Sequence, residues 1–164
     1  MRCRERLEQL LNEERVPYRV REHRPAVTAQ DIASVEHLSG YEMAKVVMVV
    51  ADDRLVMLVV PAPHRVDLDK VRRALSVTAV RLAEEEEFVN VFGDCEVGAM
   101  PPFGHLYGIA VYLDPALARR PEIVFNAGSH RETITMAYQD YARLARPEVI
   151  DLSTSPKAKQ PVGL

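Results

Sequence analysis

The chain has 164 residues, 48% apolar and 27% charged, with a net charge of −3 from 21 basic and 24 acidic side chains. This is about one domain's length, enough to bury roughly 70% of the unfolded surface, and the balance excludes a mainly disordered chain, a collagen and a coiled coil. Its longest apolar runs, residues 46–51 and 55–62, fall short of the ~20 residues of a membrane helix, and a general nucleic-acid surface would be strongly basic, so a nucleic acid would have to be held by a local patch or pocket.

The first element is a helix over residues 2–15, where Leu7, Leu10 and Leu11 form one apolar stripe. Pro17 ends it, because the residue before a proline avoids helical geometry. Residues 18–22 alternate like a short strand. A short helix is expected over residues 28–35, with Thr28 as N-cap. Two apolar runs, residues 44–51 and 54–61, flank Asp52-Asp53 and predict a hairpin. Most positions of both runs are apolar, so both faces of that sheet should be covered.

Asp67 can cap a helix running to about Leu75. A strand is expected over residues 77–82 and a helix over residues 84–91. The four glutamates opening that helix suit the positive end of its dipole, and a solvated helix start is the plainer reading than a metal site. Strands follow at residues 106–113, 123–126 and 133–137, then a helix over Tyr138–Ala145 and a last short strand at residues 148–152. Residues 153–164 are rich in Ser, Pro and Lys and read as a loose tail, which leaves a single domain over residues 1–152. The order of elements lacks regular βαβ alternation, so the expected fold is mixed α/β: a mixed sheet or partial barrel with helices packed outside it.

Three places could carry chemistry. Gly98-Ala99-Met100-Pro101-Pro102 leads into Phe103-Gly104. Prolines stiffen such a loop, glycines turn it, and its successive N–H groups (Gly98, Ala99, Met100) could grip an oxyanion; an ordinary turn is the competing reading. Lys45 enters an apolar strand, where a lysine either snorkels outward or binds something negative. Asn126-Ala-Gly128-Ser129-His130-Arg-Glu132 joins two strands and gathers polar side chains around a glycine. Ser129 and His130 are adjacent and cannot serve each other as nucleophile and base.

Cys3 and Cys95 form no CxxC motif and no disulfide framework. The five histidines form no ligand pair, so neither metal nor cofactor is expected. The first residues are too rich in glutamate for a transit peptide and lack a signal-peptide core. A cytoplasmic protein with reduced thiols is the expectation, with Cys95 a structural thiol.

Taken in order, Lys45 opening a strand, Gly98-Ala-Met-Pro-Pro102 and Asn126-Ala-Gly-Ser-His130 resemble the YbaK family, the aminoacyl-tRNA editing domain found free-standing and inserted in bacterial prolyl-tRNA synthetases. The segment Tyr141-Ala-Arg-Leu-Ala-Arg-Pro-Glu-Val-Ile-Asp151 resembles it too. The likeness spans roughly residues 20–152. It implies a curled, barrel-like mixed β-sheet surrounded by helices, and hydrolysis of the ester between a wrong amino acid and the tRNA terminal adenosine. The family lysine falls on Lys45, its GxxxP loop on Gly98, Ala99, Met100, Pro101 and Pro102, and its GSH segment on Gly128, Ser129 and His130. Lys45, Gly98 and His130 would then be catalytic and the others substrate-binding. The loop N–H groups would hold the carbonyl oxygen, Lys45 the terminal phosphate or the ester, and His130 the pocket or the water, with a tRNA 2′-hydroxyl assisting proton transfer. Val46 follows the lysine where some alanine-specific members carry a polar residue, so alanine specificity is not carried over. The implied partner is the acceptor end of mischarged tRNA, foremost tRNA for proline, with or without a synthetase, and no membrane. Two other readings stay open: a binding module without hydrolysis, and a hydrolase using Cys95 or Ser129 as nucleophile.

Overall fold

The computed structural model describes residues 3–22 and 42–156; the helix expected over residues 28–35 lies outside them. Helix α1 (Cys3–Glu13) buries Cys3, Leu7 and Leu11. It ends where Arg15 turns left-handed (φ 57) and the Val16 N–H returns to the Leu11 oxygen. Strand β1 (Tyr18–Glu22) follows.

The predicted hairpin is present, with β2 (Ala44–Ala51) and β3 (Arg54–Pro61) pairing antiparallel, Met48 opposite Met57 and Ala51 opposite Arg54. Asp52 takes a left-handed conformation (φ 55), and its carboxylate accepts from the N–H groups of Thr78 and Ala79 at 3.1 and 3.0 Å. Both faces of the hairpin are covered, as the apolar pattern requires. Ala44, Met48, Met57 and Val59 pack into the main core with α1; Val49, Val56, Leu58 and Val60 pack on the other side with Val71 and Leu152.

After β4 (Arg65–Val66), Asp67 caps α2 (Leu68–Leu75) through the N–H groups of Asp69 and Lys70. Strand β5 (Val80–Leu82) is shorter than expected. So is α3 (Glu85–Phe88), which opens with a reciprocal cap between Glu84 and Glu87. Arg81 grips the Glu87 carboxylate at 2.6 and 2.8 Å and holds it at about 2, below the usual carboxylate range, helped by the Glu84 N–H.

The expected strand over residues 106–113 is only its last three residues, β6 (Val111–Leu113). A 3-10 turn (Gly104–Tyr107) precedes it, closed by Gly108 at φ 72, whose N–H returns to Gly104 and His105. Then come α4 (Pro115–Ala118), β7 (Glu122–Asn126), β8 (Glu132–Ala137), α5 (Tyr138–Ala145), β9 (Glu148–Val149) and β10 (Ser153–Thr154).

The fold is mixed α/β, but the curled, barrel-like sheet is not found. The strands divide into sheets ordered β5-β2-β3-β6-β9, β1-β8-β7 and β10-β4, and none closes among the described residues. The reason lies in β7, which pairs along its length with β8 and meets β2's leading end at a single parallel bridge, Met43 to Val124.

Two further expectations are corrected. Ser153 and Thr154, assigned to the loose tail, pair with Val66 and Arg65. The cysteines are not reduced thiols: Cys3 and Cys95 form a disulfide with Cα atoms 5.0 Å apart. The start of α1 lands on the loop after Phe92, where the Cys3 N–H donates to the Asp94 oxygen at 3.1 Å. A separation of 92 residues and no motif gave the pairing no local signal.

Candidate active site

The glycine–proline loop is set from behind by an aromatic cluster. Phe103 lies edge-on to Phe125 and Tyr141, with ring centroids 5.5 and 5.2 Å away, and is fully buried. Ala99, Met100, Pro101 and Pro102 are buried with it, while Gly98 is exposed. Gly98 needs its glycine: φ is +82°, a region side chains disfavour.

The loop is zipped to the turn between β7 and β8. The Glu96 N–H donates to the Gly128 oxygen at 2.8 Å, and the Gly128 N–H donates to the Ala99 oxygen at 3.0 Å. His130 closes the clasp, its Nε2 lying 2.7 Å from the Val97 oxygen and its N–H donating to the Glu96 carboxylate at 3.2 Å. A carbonyl only accepts, so Nε2 carries the proton. With Nε2 the donor, Nδ1 is the ring's other nitrogen, an acceptor whenever the ring is uncharged; it is buried and has no partner among the described residues. The structure thus brings together Gly98, Ala99, Gly128 and His130, with the His130 Cε1 3.5 Å from where a Gly98 Cβ would stand.

One element of the expected oxyanion grip changes. The Ala99 N–H is spent on the Glu96 oxygen at 3.0 Å, leaving the N–H groups of Gly98 and Met100 without acceptors among the described residues. Ser129 is spent too. Its hydroxyl donates to Glu132 at 3.2 Å and receives the Arg131 N–H at 3.2 Å, and Glu132 is further paired with Arg4. Cys95, joined to Cys3, has no thiolate to offer as a nucleophile.

Lys45 stands on β2 opposite Val60, on the face of Val49 rather than that of Ala44 and Met48. It is half-buried. Burial lowers its pKa, and the charge of Arg65 adds to the effect. No hydrogen bond or ion pair joins Lys45 to the two zipped loops among the described residues. Its link to them is the Met43–Val124 bridge, which sets β2 beside the strand leading into the Gly128 turn.

Beside Lys45 lies a chain of groups with no linear sequence signal. The Asp114 carboxylate accepts from the Ser153 hydroxyl at 2.6 Å, and Ser153 meets His64 Nδ1 at 2.8 Å. Ser153 has one proton and gives it to the carboxylate, so Nδ1 of His64 is the donor. All three residues are buried. Burial lowers the His64 pKa, the Asp114 charge opposes this, and the charges of Lys45 and Lys70 reinforce it. Asn126, part of the polar turn singled out in the sequence but given no role there, is 7% exposed, and its Oδ1 has no partner among the described residues.

Two clefts of about 640 and 630 Å³ flank α1. The first is lined by Cys3, Glu8, Cys95, Gly128, Ser129 and Glu132 and so backs onto the Gly128 turn. The second, lined by residues such as Leu10, His105 and Arg143, includes no residue of the three motifs.

A family model described as an aminoacyl-tRNA editing domain matches residues 23–144. The multifunctional Ser/Thr-tRNA deacylase ProXp-y of Escherichia coli (strain K12) is 26% identical over 152 residues, covering 90% of each chain. The proline–tRNA ligase of Bacillus subtilis (strain 168) is 32% identical over 111 residues, 66% of this chain and 20% of the ligase. A solved structure of a proposed trans-editing enzyme for prolyl tRNA synthetase superposes with a TM-score of 0.79 at 25% identity, over 93% of this chain and 98% of that one. Hypothetical protein APE2540 shares the fold, with a TM-score of 0.81 at 21% identity over 90% and 99% of the two chains.

Proposed function

The chain belongs to the aminoacyl-tRNA editing domain family, and from that premise we propose that it is a trans-acting deacylase that hydrolyses the ester of mischarged tRNA, foremost tRNA for proline, beside the translation machinery in the cytoplasm. The observation that carries the reading is the clasp between Val97 and His130, which fixes the Gly98 loop while leaving the Gly98 and Met100 N–H groups unspent among the described residues.

An aminoacyl ester is already activated, so no strong protein nucleophile is needed. Water attacks the ester carbon, and the carbonyl oxygen gains charge. Gly98 and Met100 donate to that oxygen; one such donor is typically worth about 10²–10³ in rate. Lys45, a compact cation at the edge of the apolar strand, binds the terminal phosphate or orients the ester. His130 keeps the loop in shape and thereby shapes the amino-acid pocket or orients the water. The ester oxygen leaves as a ribose hydroxyl, and the neighbouring tRNA hydroxyl relays the proton. Pocket size sets selectivity, since a small site excludes a larger cognate side chain while one methylene is worth only about 1–3 kcal/mol in the other direction.

The test is a deacylation assay. Wild type and Lys45→Ala meet tRNA for proline charged with alanine, serine, threonine, cysteine, 2-aminobutyrate or proline. Serine and threonine on their non-cognate tRNAs are included because of the ProXp-y likeness. The reading expects loss of at least one wrong ester, a spared prolyl ester and an inactive lysine variant. A folded wild type that binds these tRNAs and cleaves none would instead be a binding module.

A further inference from the structure

Asn126 closes β7 and is 93% buried, yet its Oδ1 has no hydrogen-bond partner among the described residues. Leaving a buried polar group unpaired costs about 1–3 kcal/mol, and such a group in a native fold calls for an explanation, a role in the reaction among them.

Its place in the fold suggests that ligand. Met43 and Val124 form a parallel bridge. Lys45 lies two residues beyond Met43, and Asn126 two beyond Val124. Alternation puts each on the face of its bridge residue, and bridged residues share a face. The core gives the same answer independently: Ala44 and Met48 on β2, and Ile123 and Phe125 on β7, all point into the main core, so Lys45 and Asn126 both point away from it. Four residues after Asn126 stands His130, with a second buried and unpartnered acceptor, Nδ1. Two acceptors without partners among the described residues, Asn126 Oδ1 and His130 Nδ1, therefore stand on the strand and turn beside Lys45, and each can take a hydrogen bond from a donor on the ligand.

Resting on the editing reading, we propose that Asn126 is a substrate-binding residue whose Oδ1 accepts a hydrogen bond from the esterified terminal adenosine. Two groups there have the required chemistry: the α-ammonium of the amino acid and the ribose hydroxyl left free by the ester.

The experiment compares wild type with Asn126→Leu, which keeps the volume and removes the orphan. Deacylation kcat/KM is measured on the preferred mischarged tRNA and on the same tRNA carrying the corresponding des-amino acyl group. The expected result is a loss of about tenfold to a hundredfold in kcat/KM, the worth of a hydrogen bond to a charged or strongly polar donor, with an unchanged or raised melting temperature. A loss confined to the amino ester identifies the ammonium; an equal loss on both identifies the ribose hydroxyl. Unchanged kcat/KM overturns the inference while the editing reading stands. So does a loss of activity matched by a lowered melting temperature, which would mark a structural amide. A wild type that hydrolyses no ester overturns both. As a measurement on the unaltered protein, the Asn126 side-chain amide resonance should shift on saturation with a non-hydrolysable aminoacyl-amide of adenosine; a signal that stays in place at saturation overturns the inference.

Discussion

The phenol of Tyr141 donates to the main-chain oxygen of Pro102 at 2.8 Å, so the glycine–proline loop is fastened from inside the core. Tyr141 is fully buried, and burial pushes its pKa well up, which keeps the hydroxyl a neutral donor. Tyr141→Phe removes the bond and leaves a buried carbonyl unpaired. The expected loss is about 1–3 kcal/mol of stability, read as a lower melting temperature. A fall in kcat should accompany it at temperatures where both proteins are folded, because the loop's N–H groups lose their fixed aim.

Lys45→Ala should abolish ester hydrolysis, and Lys45→Arg should keep only part of it, since a planar guanidinium does not replace a compact ammonium. Burial and Arg65 lower the lysine pKa. Lys45 therefore loses its proton at a lower pH than an ordinary lysine, and the alkaline limb of the rate profile should begin below 10.5. In Lys45→Arg that limb should vanish. Rates against pH, corrected for spontaneous ester hydrolysis, check both points.

His64 supplies a prediction of opposite pH sense to the usual paired histidine. Its folded pKa is lowered below 6.5, first by burial. The unfolded chain then binds the proton more tightly, so stability rises with pH between the folded value and 6.5, and the full penalty is present below the folded value. His105, also lowered by burial, contributes in the same direction. His64→Gln should flatten the dependence of melting temperature on pH between about 5 and 7, and His64→Gln with His105→Gln should flatten it further.

The disulfide closes a loop whose ends are 92 residues apart. In the chain-entropy account such a cross-link is worth about 4–5 kcal/mol. Reduction with dithiothreitol, or Cys3→Ser with Cys95→Ser, should lower the unfolding free energy by an amount of that order, read as a lower melting temperature. Gly128 should report the change, since a Cβ there would lie 2.8 Å from the Cys3 sulfur and φ is +96°. Gly128→Ala should cost more stability in the oxidised protein than in the double-serine background, where a smaller oxygen faces it.

What could be read in advance was local. The β2–β3 hairpin announces itself through two apolar runs and Asp52-Asp53, and Asp67 through its spacing from the apolar stripe of α2. The glycine–proline loop and the Gly128 turn stood out by composition. Their mutual clasp did not, because Val97 and Ala99, and Glu96 in all but its carboxylate contact to the His130 N–H, act through main-chain atoms that sequence does not distinguish. The stretch before β6 was misread because Leu106 and Tyr107 fit a strand, and the competing signal is one glycine at a positive φ. Ser153, Asp114 and His64 meet from three distant places, and Asn126 looks like any turn residue until its missing partner is seen. Each of these depends on tertiary placement, which periodicity does not encode.

The pairing of β1 with β8, Tyr18 opposite Met136, fixes the sequence of events during synthesis. Domains assemble as the chain emerges, and here the segments made first are seated last. Strand β1 has no sheet to join until β8 has left the ribosome. Helix α1 packs its leucines on a core that includes Phe125 and Ile134, and so it waits too. A nascent chain that stops short of β8 can complete the β2–β3 hairpin but must carry Leu7 and Leu11 exposed. The β2–β3 hairpin, whose partners adjoin in the chain, is where pairing can start before that moment.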